Sequence, residues 1–235
     1  MLVTGASSGI GRQVALSCAS MGAEVVITGR DEARLAATLA DMSGSGHIAH
    51  AAELTAADQR ESLVAAMSAV DGIVHCAGIS RLAPIRQVSA AHLQEVWHIN
   101  YEAPVLLTQR ILAKSLVKPN GSIVFISSIA AFIGVAGVGA YSGTKAALIA
   151  TMRCLSMEVV KRGIRVNCLA PALVESPLLE ATASVVGSLD EERKAYPLGF
   201  GKPEDVANAA VFYLSPASRW ITGTTLIMDG GLTVR

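Results

Sequence analysis

The stretch "LVTGASSGIGR", Leu2 to Arg12, passes from three strand-like residues through a turn holding Gly5, Gly9 and Gly11 into a helical pattern. The pattern continues as "RQVALSCASMG", with apolar residues at helical spacing. Glycines at a strand-to-helix turn let the backbone approach a pyrophosphate. The helix behind them aims free N–H groups and partial positive charge at the same spot. Many glycine-rich turns bind nothing. The strand-loop-helix context makes this one a dinucleotide cradle, with Ser7, Ser8 and Ile10 between the glycines.

The alternation repeats along the chain. Short apolar runs ("EVVIT", "HIAHA", "GIVHC", "SIVFIS", "IRVNCLA", "TTLIM") are separated by periodic segments such as "DEARLAATLADM" and "HLQEVWHINYEAPVLLTQRILAKSL". Strands alternating with helices imply right-handed crossovers and a parallel sheet. The strands are apolar at nearly every position, as a sheet covered on both faces requires. The expected fold is α/β, a Rossmann-type doubly wound parallel sheet of seven strands with helices on both faces. No repeat or linker divides the chain, so residues 1–235 read as one dinucleotide-binding and catalytic domain. The first strand is short, and one or two lead-in residues are expected to be missing.

Composition narrows the partners. Apolar residues make up 51% of the chain, enough for a large core, while formal net charge is zero. With no basic run, no nucleic acid or other polyanion is expected. Cys18, Cys76, Cys154 and Cys168 have neither paired nor metal-ligand spacing, and the five histidines form no ligand motif. The thiols read as reduced, the protein as cytoplasmic, and no metal is expected. The N-terminus shows no basic region before an apolar one, so no targeting signal is expected. Gly121 to Thr144 is uncharged and long enough to invite a membrane reading. Its serines and glycines instead divide it into a buried strand, a loop and a helix.

In "AYSGTKAALIAT", residues 140 to 151, Tyr141 and Lys145 stand one helical turn apart in a small, apolar run. A buried ammonium is costly unless something uses it. A cation beside a phenol favours the charged form and lowers its pKa. The pair reads as a proton donor and its tuner, although a packed ring beside a snorkelling amine has the same spacing.

With both motifs in hand, the sequence resembles the short-chain dehydrogenase/reductase family, from Met1 to the C-terminus. "TGASSGIG" has the family's GxxxGxG spacing, and "YSGTK" its YxxxK pattern. "ISSIAA" places Ser128 thirteen residues before Tyr141, and "WHIN" supplies Asn100. "RVNCLAPALVES" and the terminal "MDGG" match as well. The resemblance implies interconversion of a carbonyl and a secondary alcohol by hydride transfer. It implies Tyr141 as general acid or base, and Ser128 as the donor that steadies the alkoxide. Lys145 would tune Tyr141 and hold the nicotinamide ribose. Asn100 would anchor a water through its helix backbone and link Lys145 to solvent. Pro171, Val174 and Ser176 would join the cofactor site.

Three departures bear on cofactor binding. The fourth-strand motif, commonly Asn-Asn-Ala-Gly, is "HCAG" here, so Cys76 stands beside the adenosine ribose while Ala77 and Gly78 are kept. Glu53 and Leu54 follow the third strand where an aspartate usually meets adenine. Ala172 and Ser176 replace the usual glycine and threonine. The second strand ends in Gly29-Arg30-Asp31. In NAD-using relatives an acid at the position of Gly29 repels a 2′-phosphate. Gly29 lifts that repulsion, Arg30 can grip the phosphate, and Asp31 reads as a solvent-facing helix cap. NADP(H) is therefore preferred, with NAD(H) second.

"KRGIRVN" and "YPLGFGKPEDVA" bring the sequence nearest to 3-oxoacyl-carrier-protein reductases. In those enzymes arginines beside the site mouth hold the acidic carrier. Arg162 matches one, but Pro119 stands at the other position, next to Lys118. Leu173 to Phe200 reads as a substrate loop in which Leu178, Leu179, Val185 and Val186 offer apolar contacts. By resemblance the chain forms a homotetramer, with a dimer second, through helices read at Ala90–Val117 and Tyr141–Arg162. The competing reading is a non-catalytic nucleotide sensor or scaffold that keeps the fold.

Overall fold

The computed structural model describes residues 1–179 and 189–234. All seven expected strands form: β1 (Leu2–Thr4), β2 (Val26–Gly29), β3 (Ile48–Ala51), β4 (Val70–His75), β5 (Val117–Ile126), β6 (Arg165–Pro171) and β7 (Thr225–Met228). They make one parallel sheet in the order β3-β2-β1-β4-β5-β6-β7. Strand order reverses between β1 and β4. In open sheets of this kind the ligand crevice lies outside the strand carboxyl ends at that switch point.

Period-2 alternation explains why the central strands are apolar throughout. Leu2, Ile73, Ile123 and Phe125 join one core, together with Leu63, Leu107, Ile111, Leu148 and Met152. Their neighbours Val3, Val74, Val124 and Ile126 join the other, with Val14, Leu35, Val206 and Ala210. The first core lies under α3 (Ala57–Ala65), α5 (Ala103–Ala113) and α6 (Gly139–Val159). The second lies under α1 (Gly9–Ser20), α2 (Glu32–Ala40) and α8 (Pro203–Leu214).

The helix expected over Ala90–Val117 is divided and ends early. It consists of α4 (Ala90–Trp97), a π-helical turn (His98–Glu102) and α5, which stops at Ala113. Ser115 adopts φ 55°, and Leu116 donates to the Ile111 carbonyl. That is a left-handed helix stop made without glycine, which periodicity does not reveal. Val117 consequently opens β5. The second helix expected at the interface, Tyr141–Arg162, matches α6 and the 3-10 turn Val160–Arg162 that follows.

Between Gly121 and Thr144 run the end of β5, a loop with a 3-10 turn (Ile129–Ala131) and the start of α6. Among the described residues no helix is long and apolar enough to cross a membrane. Of the apolar residues read in the substrate loop, Leu179 is buried and Leu178 half-exposed. Val185 and Val186 lie outside the described residues. The far side of the loop carries a short helix, α7 (Asp190–Lys194).

Candidate active site

A cleft of about 310 Å³ opens at the carboxyl ends of β1, β2 and β4, within the usual range for small-molecule sites. Gly5, Ser7, Ser8, Gly9, Ile10 and Gly11 form its floor at the start of α1. Gly5 has φ +66°, and a Cβ on it would lie 2.7 Å from the Ala77 nitrogen. A Cβ on Gly11 would lie 2.3 Å from the Gly5 carbonyl oxygen. The two glycines therefore let α1 sit directly against the turn, bringing its N-terminal N–H groups to the cleft. Thr38 of α2 pins the turn from behind, donating to the Ala6 carbonyl at 3.0 Å. Ser8 is the N-cap of α1, yet its side chain makes no capping bond.

At the far wall, Arg30 Nη1 meets Glu53 Oε2 at 3.4 Å. Asp31 caps α2, as expected, by accepting from the Arg34 backbone N–H at 2.9 Å. This bond is the chief reason the Asp31 carboxyl titrates below its ordinary range. A Cβ on Gly29 would lie 3.3 Å from Ser7 Oγ, so an acid at this position would press on the glycine turn. Cys76, Ala77 and Gly78 form the wall along β4. The Cys76 and Ala77 backbone N–H groups both donate to Thr4 Oγ1, at 3.1 and 3.2 Å. Burial pushes the Cys76 thiol up, so it stays neutral.

His75, the other departure in "HCAG", is buried in the sheet rather than in the cleft. Its ring stacks on Phe125 at 4.8 Å, and Nε2 meets Thr108 Oγ1 at 2.8 Å. The Thr108 hydroxyl donates to the Pro104 carbonyl, so it accepts from His75. That fixes the Nε2–H tautomer and leaves the buried Nδ1 without a partner. Burial lowers the His75 pKa to about 3.

The four expected catalytic side chains converge beyond Gly78. A Cβ there would lie 3.1 Å from Asn100 Oδ1 and 3.5 Å from Lys145 Nζ, so glycine is the residue that fits. Asn100, fully buried, accepts from the Ile79 N–H at 2.8 Å and donates to the Ile79 carbonyl at 2.9 Å. It also donates to Thr144 Oγ1 at 3.4 Å, while the Thr144 hydroxyl donates to the Tyr141 carbonyl. Lys145 Nζ donates to the Ile126 carbonyl at 2.9 Å and stands 5.6 Å from the Tyr141 ring centroid. Burial lowers its pKa to about 8. Ser127 donates to the Lys145 carbonyl at 2.9 Å, fastening α6 to the end of β5.

Tyr141 stands in the first turn of α6 with its hydroxyl beside Ser128. Burial raises its pKa above the ordinary phenol value, and the group pulling it down is the Ser128 hydroxyl rather than the Lys145 ammonium. Ser128 also accepts from the Ala130 N–H at 3.2 Å and faces the Pro171 carbonyl at 3.5 Å.

Of the other expected cofactor residues, Arg30, Glu53, Leu54 and Ser176 line the cleft. Val174 does not; it is buried in the second core and bridges to Gly201. Glu53 points at Arg30 and at its own turn, with Oε1 accepting from the Thr55 N–H and hydroxyl. Arg162 stands far from the mouth of its own site. Its guanidinium donates to the Val117 carbonyl at the start of β5, whereas Ser128 follows the other end. Because β5 bulges between Val117 and Ser122, its run from Val117 to Phe125 lies beside only Val70 to His75, and the two points are about 25 Å apart. The sequence reading missed Arg34, which lines the cleft, and the clamps Ser127, Thr144 and Thr38. It also missed Pro104, which has no N–H to offer the Asn100 carbonyl four residues earlier.

The family model described as enoyl-(acyl carrier protein) reductase matches residues 5–233. The chain is 34% identical to the 3-oxoacyl-(acyl-carrier-protein) reductase FabG of Aquifex aeolicus, over 98% of this chain and 96% of that one. It superposes on the short-chain dehydrogenase/reductase "glucose/ribitol dehydrogenase" of Brucella melitensis with a TM-score of 0.92, at 32% identity, covering 98% and 95% of the two chains. An actinorhodin polyketide ketoreductase solved with NADPH gives a TM-score of 0.90 at 26% identity, covering 98% and 95%.

Proposed function

Because the chain belongs to the short-chain dehydrogenase/reductase family of nicotinamide-dependent oxidoreductases, we propose that it reduces a ketone to a secondary alcohol with NADPH. The observation that carries this reading is the convergence of Asn100, Ser128, Tyr141 and Lys145 beside a cleft floored by a glycine turn and a helix N-terminus. The cleft fits a dinucleotide: it has a pyrophosphate cradle at one end and two guanidinium groups at the other. When bound there, the nicotinamide supplies the hydride. Tyr141 gives its proton to the substrate oxygen as that oxygen gains negative charge. The phenol is protonated at neutral pH, the form that reduction needs, and the Ser128 hydroxyl offsets part of the rise that burial causes. Ser128 hydrogen-bonds the same oxygen and stabilises the developing alkoxide. Lys145 holds the nicotinamide ribose, and Asn100, midway along the π-helical turn, ties that turn to the Ile79 backbone beside it.

A 3-oxoacyl thioester is the substrate class that the Aquifex relative supports. Ile85, Phe132 and Val135 are exposed, and a Cβ on Gly139, two residues before Tyr141, would lie 3.6 Å from Ile85 Cδ1. They offer an apolar lip for an acyl chain. Any carrier-protein patch built from Arg162 and Lys118 would have to serve the site of another copy, given the distance along β5. Exposed Leu93, Trp97 and Leu106 on α4 and α5, and Met157 on α6, support a homotetramer or, second, a dimer. The chain would act as a single domain in a reducing, cytoplasmic setting. NADPH oxidation with diketones, acetoacetyl thioesters and ketoses tests the proposal. Turnover of a ketone is expected. Silence across the panel beside tight NADPH binding would favour the sensor reading instead, and a monomeric mass by light scattering would end the oligomer.

A further inference from the structure

Four charged side chains surround the adenosine end of the cleft: Arg30, Asp31, Arg34 and Glu53. They are not equivalent. Asp31 is fully engaged by α2, with Oδ1 on the Arg34 backbone N–H and Oδ2 on Arg34 Nε at 2.7 Å. The second bond holds the Arg34 guanidinium at the cleft and leaves both of its Nη groups without a partner among the described residues. Asp31 is thus turned away from the ligand, and Arg34 is a donor already oriented.

Glu53 is tied from the other side. Its Oε1 accepts from the Thr55 N–H and hydroxyl at 3.1 and 3.0 Å, and its own N–H donates to Gln59 Oε1 at 2.6 Å. The carboxylate is held by its turn, while the Arg30 side chain is 64% exposed and free to swing. A phosphate on the adenosine ribose would therefore take Arg30 from Glu53 and leave a like charge facing it. A ribose without phosphate leaves the Arg30–Glu53 pair as it stands.

We infer that Glu53 sets how strongly the 2′-phosphate is preferred, by competing for Arg30, and that Arg34 is the second guanidinium holding that phosphate. The inference rests on the proposed seating of a nicotinamide dinucleotide with its adenosine at this end. It differs from the expected role of Glu53 as an adenine contact. Removing the acid should strengthen NADPH binding, whereas loss of an adenine contact would weaken both nucleotides.

The test is titration of NADPH, NADH, 2′,5′-ADP and 5′-AMP against the wild-type protein, Glu53→Gln, Arg34→Ala, Arg30→Ala and the Arg30→Ala/Glu53→Gln double variant. Exposed ion pairs are weak, so Glu53→Gln is expected to tighten NADPH about two- to fivefold and leave NADH unchanged. Arg34→Ala should weaken NADPH and 2′,5′-ADP about tenfold without touching NADH or 5′-AMP. In the Arg30→Ala background Glu53→Gln should lose its effect, because the two act through one contact. An unchanged NADPH-to-NADH ratio in Glu53→Gln overturns the inference. So does equal weakening of both nucleotides in Arg34→Ala, or a Glu53→Gln gain that persists without Arg30. Wild-type protein that binds 2′,5′-ADP no better than 5′-AMP would overturn the NADPH reading itself. In that case Glu53→Gln must create a preference, and failure to do so overturns the inference as well.

Discussion

At the tetrad, just beyond the Gly78 end of the cleft, Asn100, Ser128 and Lys145 are 0%, 8% and 5% exposed, and each is held by backbone groups. At the adenosine end the side chains of Arg30 and Arg34 are 64% and 60% exposed and are held by surface carboxylates. The difference is one of chemistry. Proton transfer needs groups fixed to within fractions of an ångström before substrate arrives, and buried side chains tied to the backbone supply that. Phosphate recognition needs charge and reach, and long exposed side chains supply it with looser geometry. Substitutions at the first end should be large and act on rate. Those at the second should be small and act on affinity.

The largest expected effect is at Tyr141. Tyr141→Phe removes the transferable proton and the bond to Ser128 but no group expected to hold the cofactor, so kcat should fall by about 10²–10⁴-fold while NADPH affinity is unchanged. Ser128→Ala should also cripple kcat, since it removes both the alkoxide donor and the hydroxyl that draws the phenol's pKa down. Steady-state rates with parallel binding titrations check both. Activity within about tenfold of wild type in Tyr141→Phe would undo the assignment and erase the contrast between the two ends.

His75 joins the two regions, ending β4 just before the cleft wall. Its folded-state pKa of about 3 lies below the ordinary value of 6.5. The unfolded chain therefore binds the extra proton first as pH falls. Stability is full above the ordinary value and declines as pH drops below it, until the folded pKa is reached. Between pH 7.5 and 5 the loss from this one group should be about 2 kcal/mol. Urea unfolding at the two pH values checks it, and His75→Asn should flatten that part of the slope. An equally steep decline in the variant would assign the acid sensitivity elsewhere.

How much was legible before the structure follows the same division. Ser128 and Asn100 were legible only through the family resemblance, whereas Tyr141 and Lys145 could be read as a pair because they share one helical face. The same arithmetic could have placed Arg162. It lies 21 residues past Tyr141 along α6 and its 3-10 extension, hence about 30 Å away. Other features left no periodic trace. Ser115 stops a helix with a positive φ that serine seldom adopts, so the helix was read on to Val117, the first residue of the strand that follows. Arg34 looks like one more charge in an amphipathic first turn, and its place in the cleft depends on the Asp31 cap. Ser127 bonds to the α6 backbone from the end of β5, and Thr144 accepts from the Asn100 side chain, links between elements that sequence spacing does not show. Pro104 was the available signal for the irregular turn at Asn100, because its ring removes a helical donor.

At the adenosine end, Arg30→Ala should cut the preference for NADPH over NADH by about tenfold, the lower part of the range for charge-assisted bonds, because the side chain is largely exposed. Ratios of kcat/KM for the two cofactors check it. Wild-type protein that turns over NADH more efficiently would show that this end does not select for phosphate.

The smallest expected effect is a gain. Cys76 lines the cleft beside the expected ribose position, but its neutral thiol is a weak donor and a weak acceptor. Its backbone N–H is already held by Thr4, so the wall keeps its shape without help from the side chain. Cys76→Asn places an amide of similar size on that fixed backbone and restores one side-chain hydrogen bond to the ribose. A net neutral bond of this kind corresponds to about two- to tenfold tighter cofactor binding. NADPH and NADH should gain equally, since the ribose is common to both, and kcat should not move. Calorimetric titration of both nucleotides checks the prediction. Tightening of NADPH alone would mean that position 76 communicates with the phosphate, and the two ends of the cleft would then be less independent than their construction implies. Weaker binding of both would mean that the thiol is needed for packing against the turn.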